Sequence, residues 1–432
     1  MKNSREKFKQ AFPDEHSLVV ALHARDLKHA LEGTKIAIDN GAHGVALVSH
    51  FVGPEYGAYI ACVIKERYPY HKVIANIRQR ETLNTFKIMK GSHIDGIRVD
   101  QAMIKGIDEI EGKENSAEEV LQRQQENGEE KLYFGGLDFK HQKHLTPEEY
   151  PFAVQQAKKY LDVITTSGPA TGKSADVEKV RKIKELSGDH PVGLASGVTP
   201  ENIHEYISNT EISIVATGIS KNYYDLDPDK VRQLAKIIEG YNRKIDRKKF
   251  EAQTLEQYKM TSATELYNYL KQGEIINIGM RMEHNEMQKK LSNLYPSSFT
   301  LDGIEYASVE AFRMSIKYPA TDPRHVEIRK LSGIKAKTAG GEAKLFKSIE
   351  YQGEHIRIGS PEHHALLKRA LRAKLEQNPD ILKALLDTGD KELAHIVFSR
   401  HEEKKVILHD SKTIPGEIFA QLYKELREEF RK

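Results

Sequence analysis

The sequence predicts an α/β protein of two domains: an N-terminal (β/α)8 barrel, then a smaller, helix-rich α+β domain. Three observations lead to this prediction. Short β-branched and apolar runs alternate with amphipathic helical stretches from residue 16 to about residue 240. The alternation stops after residue 240, and a chain of 432 residues is too long for one ordinary core.

Each of eight apolar runs is predicted to form one parallel strand of the barrel. In chain order they are HSLVVALHA (16–24), GVALVSH (44–50), KVIANIR (72–78), DGIRVDQ (95–101), KLYFGGLDFKHQ (131–142), DVITTSG (162–168), PVGLASG (191–197) and EISIVATGIS (211–220). Several of the intervening helical stretches open with Asp or Pro and close near Gly, as helix caps require. Because alternating units give parallel strands with right-handed crossovers, eight of them in about 225 residues favour a closed barrel over an open doubly wound sheet.

The composition is that of a globular protein with mixed charges. The net charge of +3 neither demands nor excludes nucleic acid. A single cysteine, Cys62, excludes an internal disulfide framework and a cysteine-based zinc cluster. No apolar run approaches the ~20 residues that cross a bilayer, and the stretch MKNSREKFKQAF is too polar for an export signal. A cytoplasmic protein without a membrane partner is therefore predicted.

Polar side chains recur where the apolar runs end, which is where barrels of this type carry their sites. In strand order they are His23 and Arg25, His50, Asn76 and Arg78, Arg98 and Asp100, Asp138 with Lys140 and His141, Ser167 and Thr171, Ser196, and Thr217 with Ser220. Any one of them is most simply a residue at the point where a strand meets solvent. The recurrence of basic side chains along the first five strands predicts an anion site.

The loops after the last three strands are rich in small residues. SGPATGK (167–173), LASGVTPENI (194–203) and VATGIS (215–220) place Gly168, Gly197 and Gly218 where backbone N–H groups can approach a ligand. A following helix N-terminus favours negative charge, and barrels commonly hold phosphate in the loops after strands seven and eight. SGPATGK lacks the Walker spacing. A bound phosphate is predicted.

Four segments resemble the BtpA family of barrel proteins: TSGPATGKSADVEKVRKIKE, GLASGVTPENI, DGIRVDQ and the FKHQ segment. The resemblance extends over most of residues 16–240. It implies the barrel fold for residues 1–242 and a phosphate-type ligand, without defining a reaction.

A second domain is predicted for residues 271–432, after a charged helical linker at residues 243–270. EIINIGM and KKLSNLY are predicted strands, and Asp302-Gly303 is predicted to be the turn of a hairpin. Ser308 is expected to cap the helix that begins SVEAFRMSIK, which carries Glu310 and Lys317 two turns apart. Further helices are predicted in DPRHVEIRKLSG, SPEHHALLKRALRAKLEQ, PDILKALLDTG and PGEIFAQLYKELREEF.

This half resembles the NADAR (YbiA-like) superfamily in LSNLYPSSFTLDGIEYASVEAF and in ALRAKLEQNPDILKALLDTGDKELAH. The resemblance implies an N-glycosidase that acts on ribosylated bases, either phosphoribosyl intermediates of the riboflavin pathway or ADP-ribosylated guanine. It places catalytic roles on Glu310, Lys317 and Asp410. Lys317 either supplies positive charge or attacks C1′, and both readings stay open. Substrate contacts fall on Asn293, Tyr295, Phe312 and Lys412, and since the chain has no tryptophan, Tyr295, Phe312 or His409 would stack on the base.

Three functions remain open. The first is an N-glycosidase with the barrel binding or processing a phosphorylated sugar. In the second, the barrel is the main enzyme, a sugar-phosphate isomerase or lyase using Asp138, Lys140 and His141, and the C-terminal domain senses a nucleotide. The third is a non-catalytic binder of an ADP-ribose-like signal.

The expected partner is a phosphorylated ribosyl or ADP-ribosyl small molecule, and nucleic acid and a homo-oligomer are left open. Lysines at 335, 337, 344 and 347 flank a Gly-Gly pair and suit a pyrophosphate or a nucleic-acid backbone, or simply a solvated face. No cofactor and no metal are predicted, because His363 and His364 are adjacent rather than helically spaced.

Overall fold

A computed structural model gives the architecture of the chain. It describes residues 3–78, 82–104, 107, 117–127, 131–140, 142–280, 285–341, 348–399, 407–408 and 416–432. These residues form two compact units, Met1–Arg243 and Lys244–Lys432.

Eight parallel strands close a barrel in the first unit and pair in chain order. They are β1 (Ser17–His23), β2 (Gly44–Val48), β3 (Lys72–Asn76), β4 (Gly96–Val99), β5 (Leu132–Gly136), β6 (Val163–Thr166), β7 (Val192–Ala195) and β8 (Ile212–Val215). Val19 of β1 pairs with Gly44 of β2 on one side and with Ile214 of β8 on the other, which closes the sheet. The predicted barrel and all eight of its strands are confirmed.

Helices alternate with these strands around the barrel. They are α2 (Leu27–Asp39), α3 (Pro54–Arg67), α4 (Thr82–Ile88), α5 (Ala117–Asn127), α6 (Tyr150–Tyr160), α7 (Val177–Ser187), α8 (Ile203–Tyr206) and α9 (Pro228–Gln257). The cap signals act as predicted at two of them: Asp26 accepts a hydrogen bond from the first turn of α2, and Asp176 accepts two from the first turn of α7.

Side chains alternate between the two faces of every strand. On β1, Val19 and Ala21 pack in the barrel interior with Phe134, whereas Val20 and Leu22 pack against the surrounding helices. The same alternation extends to the residues just after each strand. It therefore determines which polar side chains at the carboxyl end face the barrel interior.

Helix α1 (Ser4–Ala11) closes the end of the barrel at which the strands begin. Its Phe8, together with Phe12, is fully buried in the interior cluster. Lys7 Nζ donates to the carbonyl oxygen of Lys131 at 2.9 Å and to Asp162 Oδ2 at 2.6 Å, just ahead of β5 and β6. The polar N-terminal stretch is therefore an amphipathic helix on the face opposite the carboxyl ends of the strands.

The division between the two units falls inside α9. This helix runs without interruption from Pro228 to Gln257, and α10 (Ala263–Lys271) follows it. The segment 243–270 is thus the second half of a long helix, a short connection and most of another helix.

The described residues of the second unit form helices and four two-stranded sheets. The strands are β9 (Ile275–Asn277), β10 (Phe299–Leu301), β11 (Ile304–Tyr306), β12 (Ser348–Tyr351), β13 (Glu354–Arg357), β14 (Glu392–Ala394), β15 (Val397–Phe398) and β16 (Ile407–Leu408). The helices are α11 (Glu286–Lys290), α12 (Val309–Ser315), α13 (Pro323–Ile328), α14 (Gly333–Ala339), α15 (Pro361–Gln377), α16 (Pro379–Leu386) and α17 (Gly416–Arg431).

Two local predictions in this unit are confirmed and one is wrong. Asp302 and Gly303 both have positive φ in the β10–β11 turn, and the Ser308 hydroxyl accepts from the N–H of Ala311 to cap α12. The predicted strand KKLSNLY instead begins with the last two residues of α11, which a capping box at Asn285 and Gln288 nucleates. No helix within the described part of the chain has the length and apolar character needed to cross a membrane.

Candidate functional site

Polar side chains face the interior at the carboxyl end of the barrel because of the alternation along the strands. On β4, Ile97 packs outward against the helices, so Arg98 and Asp100 follow on the inward face. On β1, His23 follows the inward-facing Ala21. On β3, Ile74 faces inward, and Arg78 comes four residues later on the same face.

Asp100 pairs with two arginines. Its Oδ1 lies 2.9 Å from Arg98 Nη2, and its Oδ2 pairs with Arg78 Nη1. Burial disfavours the ionised carboxyl, but the charges of Arg98 and Arg78 outweigh that effect and hold the pKa of Asp100 below its usual range. The carboxylate therefore stays charged, and it fixes both guanidinium groups.

Lys140 brings a third positive charge to the same place. Its backbone N–H donates to Ser167 Oγ at 2.9 Å, and its Nζ donates to Thr171 Oγ1 at 3.0 Å. The ring of Phe139 lies under both cations, 5.1 Å from Arg98 Cζ and 5.8 Å from Lys140 Nζ. Burial is the first cause that lowers the pKa of Lys140, and the two arginines add to it.

His23 is the neutral member of the group. Burial, followed by the neighbouring charges of His50 and Lys140, lowers the pKa of His23 to about 4. Its Nδ1 is buried and has no hydrogen-bond partner among the residues that the structure describes. At neutral pH the ring therefore offers an uncharged nitrogen beside three cations.

We call Arg78, Arg98, Asp100, Lys140 and His23 the cation cluster. Three positive charges face one carboxylate, so the described side chains of the cluster carry two positive charges in excess. Such a site favours a dianion, and phosphate is the common biological one. The neutral imidazole adds a group able to accept and return a proton.

Asp138, predicted to act with Lys140 and His141, points elsewhere. Its backbone has a positive φ of 46°, and its carboxylate accepts from the Tyr150 hydroxyl and lies 2.8 Å from His144 Nδ1. Lys179 Nζ, on α7, donates to the Asp138 carbonyl at 3.0 Å. Asp138 thus holds the β5–α6 loop against two helices, and Asp100 is the carboxylate of the cation cluster. His141 lies outside the described residues.

The three predicted phosphate-loop glycines allow close backbone contact, within one loop at Gly168 and between neighbouring loops at Gly197 and Gly218. A Cβ added at Gly168 or at Gly197 would overlap the carbonyl oxygen of Lys173, and one at Gly218 would overlap that of Val198. The loops after β6, β7 and β8 therefore pack backbone against backbone. Whether their N–H groups also meet a phosphate stays a prediction.

The hydroxyl residues of these loops take different roles. Ser167 Oγ accepts from Lys140 and donates to the Gly168 carbonyl at 2.9 Å, which ties the β5 and β6 loops together. Ser196 has a φ of 106°, in the left-handed region, and its Oγ accepts from the Gly172 N–H at 3.2 Å. Thr217 is exposed at the start of a 3₁₀ turn, with its Oγ1 beside Gly172.

Sequence reasoning missed an aromatic surface next to the cation cluster. We call His50, Phe51, Tyr223 and Tyr224 the aromatic patch. The His50 and Phe51 rings stack at 4.7 Å, and Phe51 lies 5.6 Å from Tyr223 and 5.4 Å from Tyr224. The sequence signal that could have predicted this surface is the presence of aromatic residues in the loops that follow the second and eighth apolar runs.

In the second unit, Glu310 is buried rather than part of a solvated stripe. Its Oε2 lies 2.7 Å from Arg313 Nη1, one turn along α12, and its backbone N–H donates to the Asn293 carbonyl at 2.9 Å. Asn293 Oδ1 is buried without a hydrogen-bond partner in the described part of the chain. The structure therefore brings Glu310 and Asn293 together, and their catalytic and substrate-binding roles stay a prediction.

Lys317 lies near the same group but makes other contacts. Its Nζ is 3.4 Å from Met314 Sδ. Burial first, then the charges of Arg313, His364 and Lys317, lower the pKa of His363 to about 4. Lys317 and Arg313 thus act on one neutral histidine that sequence reasoning did not select.

The remaining predicted contacts of this unit divide into three groups. Phe312 is fully buried among Phe299, Tyr306 and Tyr351. Neither face of its ring is accessible to a base, so it cannot take the predicted stacking role. Tyr295 is half-buried at the edge of the core. Asp410, Lys412 and His409 lie outside the described residues. No group of three or more potential metal ligands occurs among the residues the structure describes.

Two family models match separate parts of the chain. Residues 58–240, within the barrel unit, match the BtpA family. Residues 286–415, within the second unit, match the family described as bacteriophage protein GP30.3, which is not the NADAR superfamily that the sequence motifs resemble. The chain is therefore similar to the BtpA family over most of its barrel.

One curated relative and several solved structures are similar to this chain. An uncharacterized protein of Thermococcus kodakarensis is 25% identical over 173 residues, which are 38% of this chain and 62% of that protein. Phosphoribosyl anthranilate isomerase of Thermus thermophilus is 16% identical with a TM-score of 0.38, covering 52% of this chain and 99% of its own. Orotidine 5′-monophosphate decarboxylase of Methanocaldococcus jannaschii is 17% identical with a TM-score of 0.38, covering 52% and 98%.

Proposed function

We propose that the barrel is the principal enzymatic domain and that it acts on a phosphorylated sugar at the cation cluster. The observation that carries the proposal is the pairing of Asp100 with both Arg78 and Arg98, beside Lys140, at the carboxyl end of the barrel. Active sites of such barrels lie at this end. Different side chains of the cation cluster are assigned to phosphate binding and to proton transfer.

Binding of the phosphate is assigned to the arginines. A guanidinium group has five N–H donors, so Arg78 can keep its bond to Asp100 and still donate to a phosphate oxygen. The Arg78 side chain is partly exposed, whereas Arg98 is buried and is held by Asp100. Arg78 therefore donates to the phosphate directly, and the buried positive charge of Arg98 adds electrostatic attraction.

Chemistry is assigned to His23 and Lys140. A neutral imidazole can take the C–H proton from the hydroxyl-bearing carbon next to a sugar carbonyl, and the imidazolium can return it to the former carbonyl carbon. The hydroxyl proton passes to the former carbonyl oxygen, so the isomerisation balances without a co-reactant. The Lys140 ammonium stabilises the negative charge that develops on the sugar oxygen in between. A lyase would instead take the proton from the hydroxyl β to the carbonyl. The bond between the α and β carbons then breaks, and the imidazolium gives the proton to the α carbon.

The test is proton exchange and binding with defined sugar phosphates. The protein is incubated in D₂O with ribose 5-phosphate, ribulose 5-phosphate and fructose 6-phosphate, and deuterium incorporation is followed by NMR. We expect exchange with at least one compound, loss of exchange in His23→Asn, and unchanged calorimetric affinity in that variant. No exchange and no binding of any of the three would refute the proposal.

A pair of lysines on one loop supplies the matched control. Lys140→Met is expected to weaken sugar-phosphate binding about tenfold, since one of the three positive charges that attract the dianion is lost. Lys143 lies three residues further along, is mostly exposed and pairs with Glu149, so Lys143→Met should leave the affinity unchanged. Equal effects of the two substitutions would show that only general charge matters.

A second candidate function is N-glycosidase activity in the C-terminal unit. Burial of Glu310 with Arg313 favours it, next to Asn293, whose Oδ1 has no hydrogen-bond partner among the described residues. In this reaction water adds its oxygen to C1′, the C1′–N bond breaks, and the base leaves with a proton. Glu310 would stabilise the developing positive charge or activate the water, with Lys317 supplying charge and Asp410 protonating the base.

Release of free base tests this candidate. A panel of ribosyl-phosphate bases, NAD and ADP-ribosylated guanine is incubated with the protein, and free base is measured by chromatography. Glu310→Gln should abolish release, while Glu305→Gln, on the exposed edge of β11, should retain it. Release that survives in Glu310→Gln would remove this unit from the chemistry.

A further inference from the structure

The aromatic patch adjoins the cation cluster directly. The rings of His23 and Tyr223 are in contact, with centroids 4.5 Å apart and an angle of 40° between their planes. The charge of Arg78 also reaches Tyr223, where it opposes the rise in pKa of the hydroxyl that burial causes. A ligand held by the arginines would therefore extend across His23 onto Tyr223 and Phe51.

The patch is exposed although its members are large and apolar. Phe51 is 51% exposed and Tyr223 is 39% exposed. Single exposed aromatic residues are ordinary, but contiguous exposed apolar surface marks binding sites in soluble proteins. Here the surface joins residues that lie about 170 positions apart in the sequence, because the loops after β2 and β8 meet beside β1.

The loop that presents Tyr223 and Tyr224 is held in one conformation. Asn222 Oδ1 accepts from the N–H groups of Tyr224 and Asp225, each at 2.9 Å. The Asp225 carboxylate lies 3.2 Å from Arg25 Nη2 and 3.1 Å from His29 Nε2. Arg25 in turn lies over the Tyr224 ring at 5.1 Å. A preorganised aromatic surface loses little entropy when a planar group binds.

A buried donor points to a ligand on the polar side. Arg98 is only 6% exposed, and its Nε has no hydrogen-bond partner in the described part of the chain. An orphaned donor of this kind is costly unless something else satisfies it. The site therefore combines a buried guanidinium N–H that has no partner among the described residues with an exposed aromatic surface.

We propose that the barrel takes a phosphorylated compound with a planar aromatic group, the anion on Arg78 and Arg98 and the ring stacked on Phe51 and Tyr223. Nucleoside 5′-monophosphates and aryl phosphates carry both groups and serve as probes of the two subsites, although they lack the sugar carbonyl that the proposed chemistry uses. This inference rests on the proposed function, because it adds a second subsite to the phosphate site and excludes a purely aliphatic sugar phosphate as the preferred ligand.

Calorimetry with paired probes tests the inference. Adenosine 5′-monophosphate is compared with ribose 5-phosphate, and phenyl phosphate with inorganic phosphate. We expect the aromatic member of each pair to bind about tenfold more tightly, in line with the strength of stacking on protein aromatic side chains. Phe51→Leu and Tyr223→Leu should each remove most of this advantage and leave binding of ribose 5-phosphate unchanged.

Phe152→Leu is the matched control. Phe152 on α6 is also 51% exposed, so its substitution removes the same amount of aromatic surface elsewhere on the barrel unit. Circular dichroism verifies that each variant folds. If ribose 5-phosphate binds as tightly as adenosine 5′-monophosphate, or Phe51→Leu has no effect, the aromatic subsite is refuted while the phosphate site stands. If none of the four probes binds, the proposed function fails as well.

Discussion

Arg98 and Asp100, two residues apart at the end of β4, form an ion pair at 2.9 Å with both side chains on the inward face of the barrel. Alternation along the strand requires this common direction, because residues i and i+2 point to the same face. The pair supplies a fixed charge at the centre of the cation cluster, and Arg78 joins it through the other oxygen of Asp100.

The first prediction concerns this pair. Asp100→Asn leaves the buried Arg98 without its counter-ion, and we expect the free energy of unfolding to fall by about 3–5 kcal/mol. Urea titration measures the loss, and added phosphate should restore part of it by binding the uncompensated cations. Asp189→Asn, at an exposed pair with Arg5, should cost no more than about 1 kcal/mol. A loss below that in Asp100→Asn would contradict the central role of the carboxylate.

The second prediction compares two glycines with positive φ. Gly197 has a φ of 74° and its added Cβ would overlap the Lys173 carbonyl, so Gly197→Ala should destabilise the fold by roughly 2 kcal/mol or more. Gly303 has a φ of 78° in the β10–β11 turn and open space around it, so Gly303→Ala should cost only about 1 kcal/mol. The thermal unfolding midpoints of both variants test this difference. Equal shifts of the two midpoints would mean that loop packing adds no cost beyond the backbone strain of a positive φ.

The third prediction concerns acid stability and His16, which is fully buried between Thr210 and Ser213. Burial lowers the pKa of His16 to about 4, so the unfolded chain binds a proton at higher pH than the folded one does. Stability therefore falls as the pH drops from about 6.5 towards 4. Between pH 7 and pH 5 the contribution of this group is about 2 kcal/mol.

His16→Asn removes that contribution and keeps a donor for the Thr210 carbonyl. Free energies of unfolding at pH 7 and pH 5 should therefore differ less in the variant than in the parent chain. A pH dependence that is identical in the two proteins would show that His16 titrates normally.

The fourth prediction concerns Lys374, a fully buried lysine in the second unit. Its Nζ donates to the carbonyl oxygens of Lys290 at 2.8 Å and Ser292 at 3.0 Å, and it lies 3.2 Å from Tyr423 Oη. Burial lowers the pKa of Lys374 to about 7. Above that pH the unfolded chain binds one more proton than the folded one, so this group makes stability rise by about 1.4 kcal/mol per pH unit between pH 7 and 9.

Lys374→Met removes this slope. Urea titrations at pH 7, 8 and 9 should show a flatter pH dependence in the variant, whatever its absolute stability. Persistence of the full slope would assign it to another group. Because Lys374 holds the turn just before Asn293, the same variant should also weaken any base release that depends on Asn293.

The sequence alone determined the strands of the barrel and the end at which its polar residues collect. Both are local properties, since apolar runs of strand length and the residues that follow them can be read without knowing what packs against them. The hairpin at Asp302 and the cap at Ser308 belong to the same class, because backbone conformation over a few residues fixes them. His23, Arg78, Arg98 and Lys140 were selected on this basis, and the structure brings these four together.

Only the tertiary structure decided which partners these residues meet. The positive φ at Asp138 turns its carboxylate to Tyr150, so Asp100 becomes the acid of the cation cluster. Phe312 is buried and therefore belongs to the core. The loops after β2 and β8 meet, which places Phe51 against Tyr223. The direction of a side chain, its burial and its contacts with residues distant in sequence depend on barrel closure and loop packing. The local sequence around one residue does not indicate which distant residues will contact it.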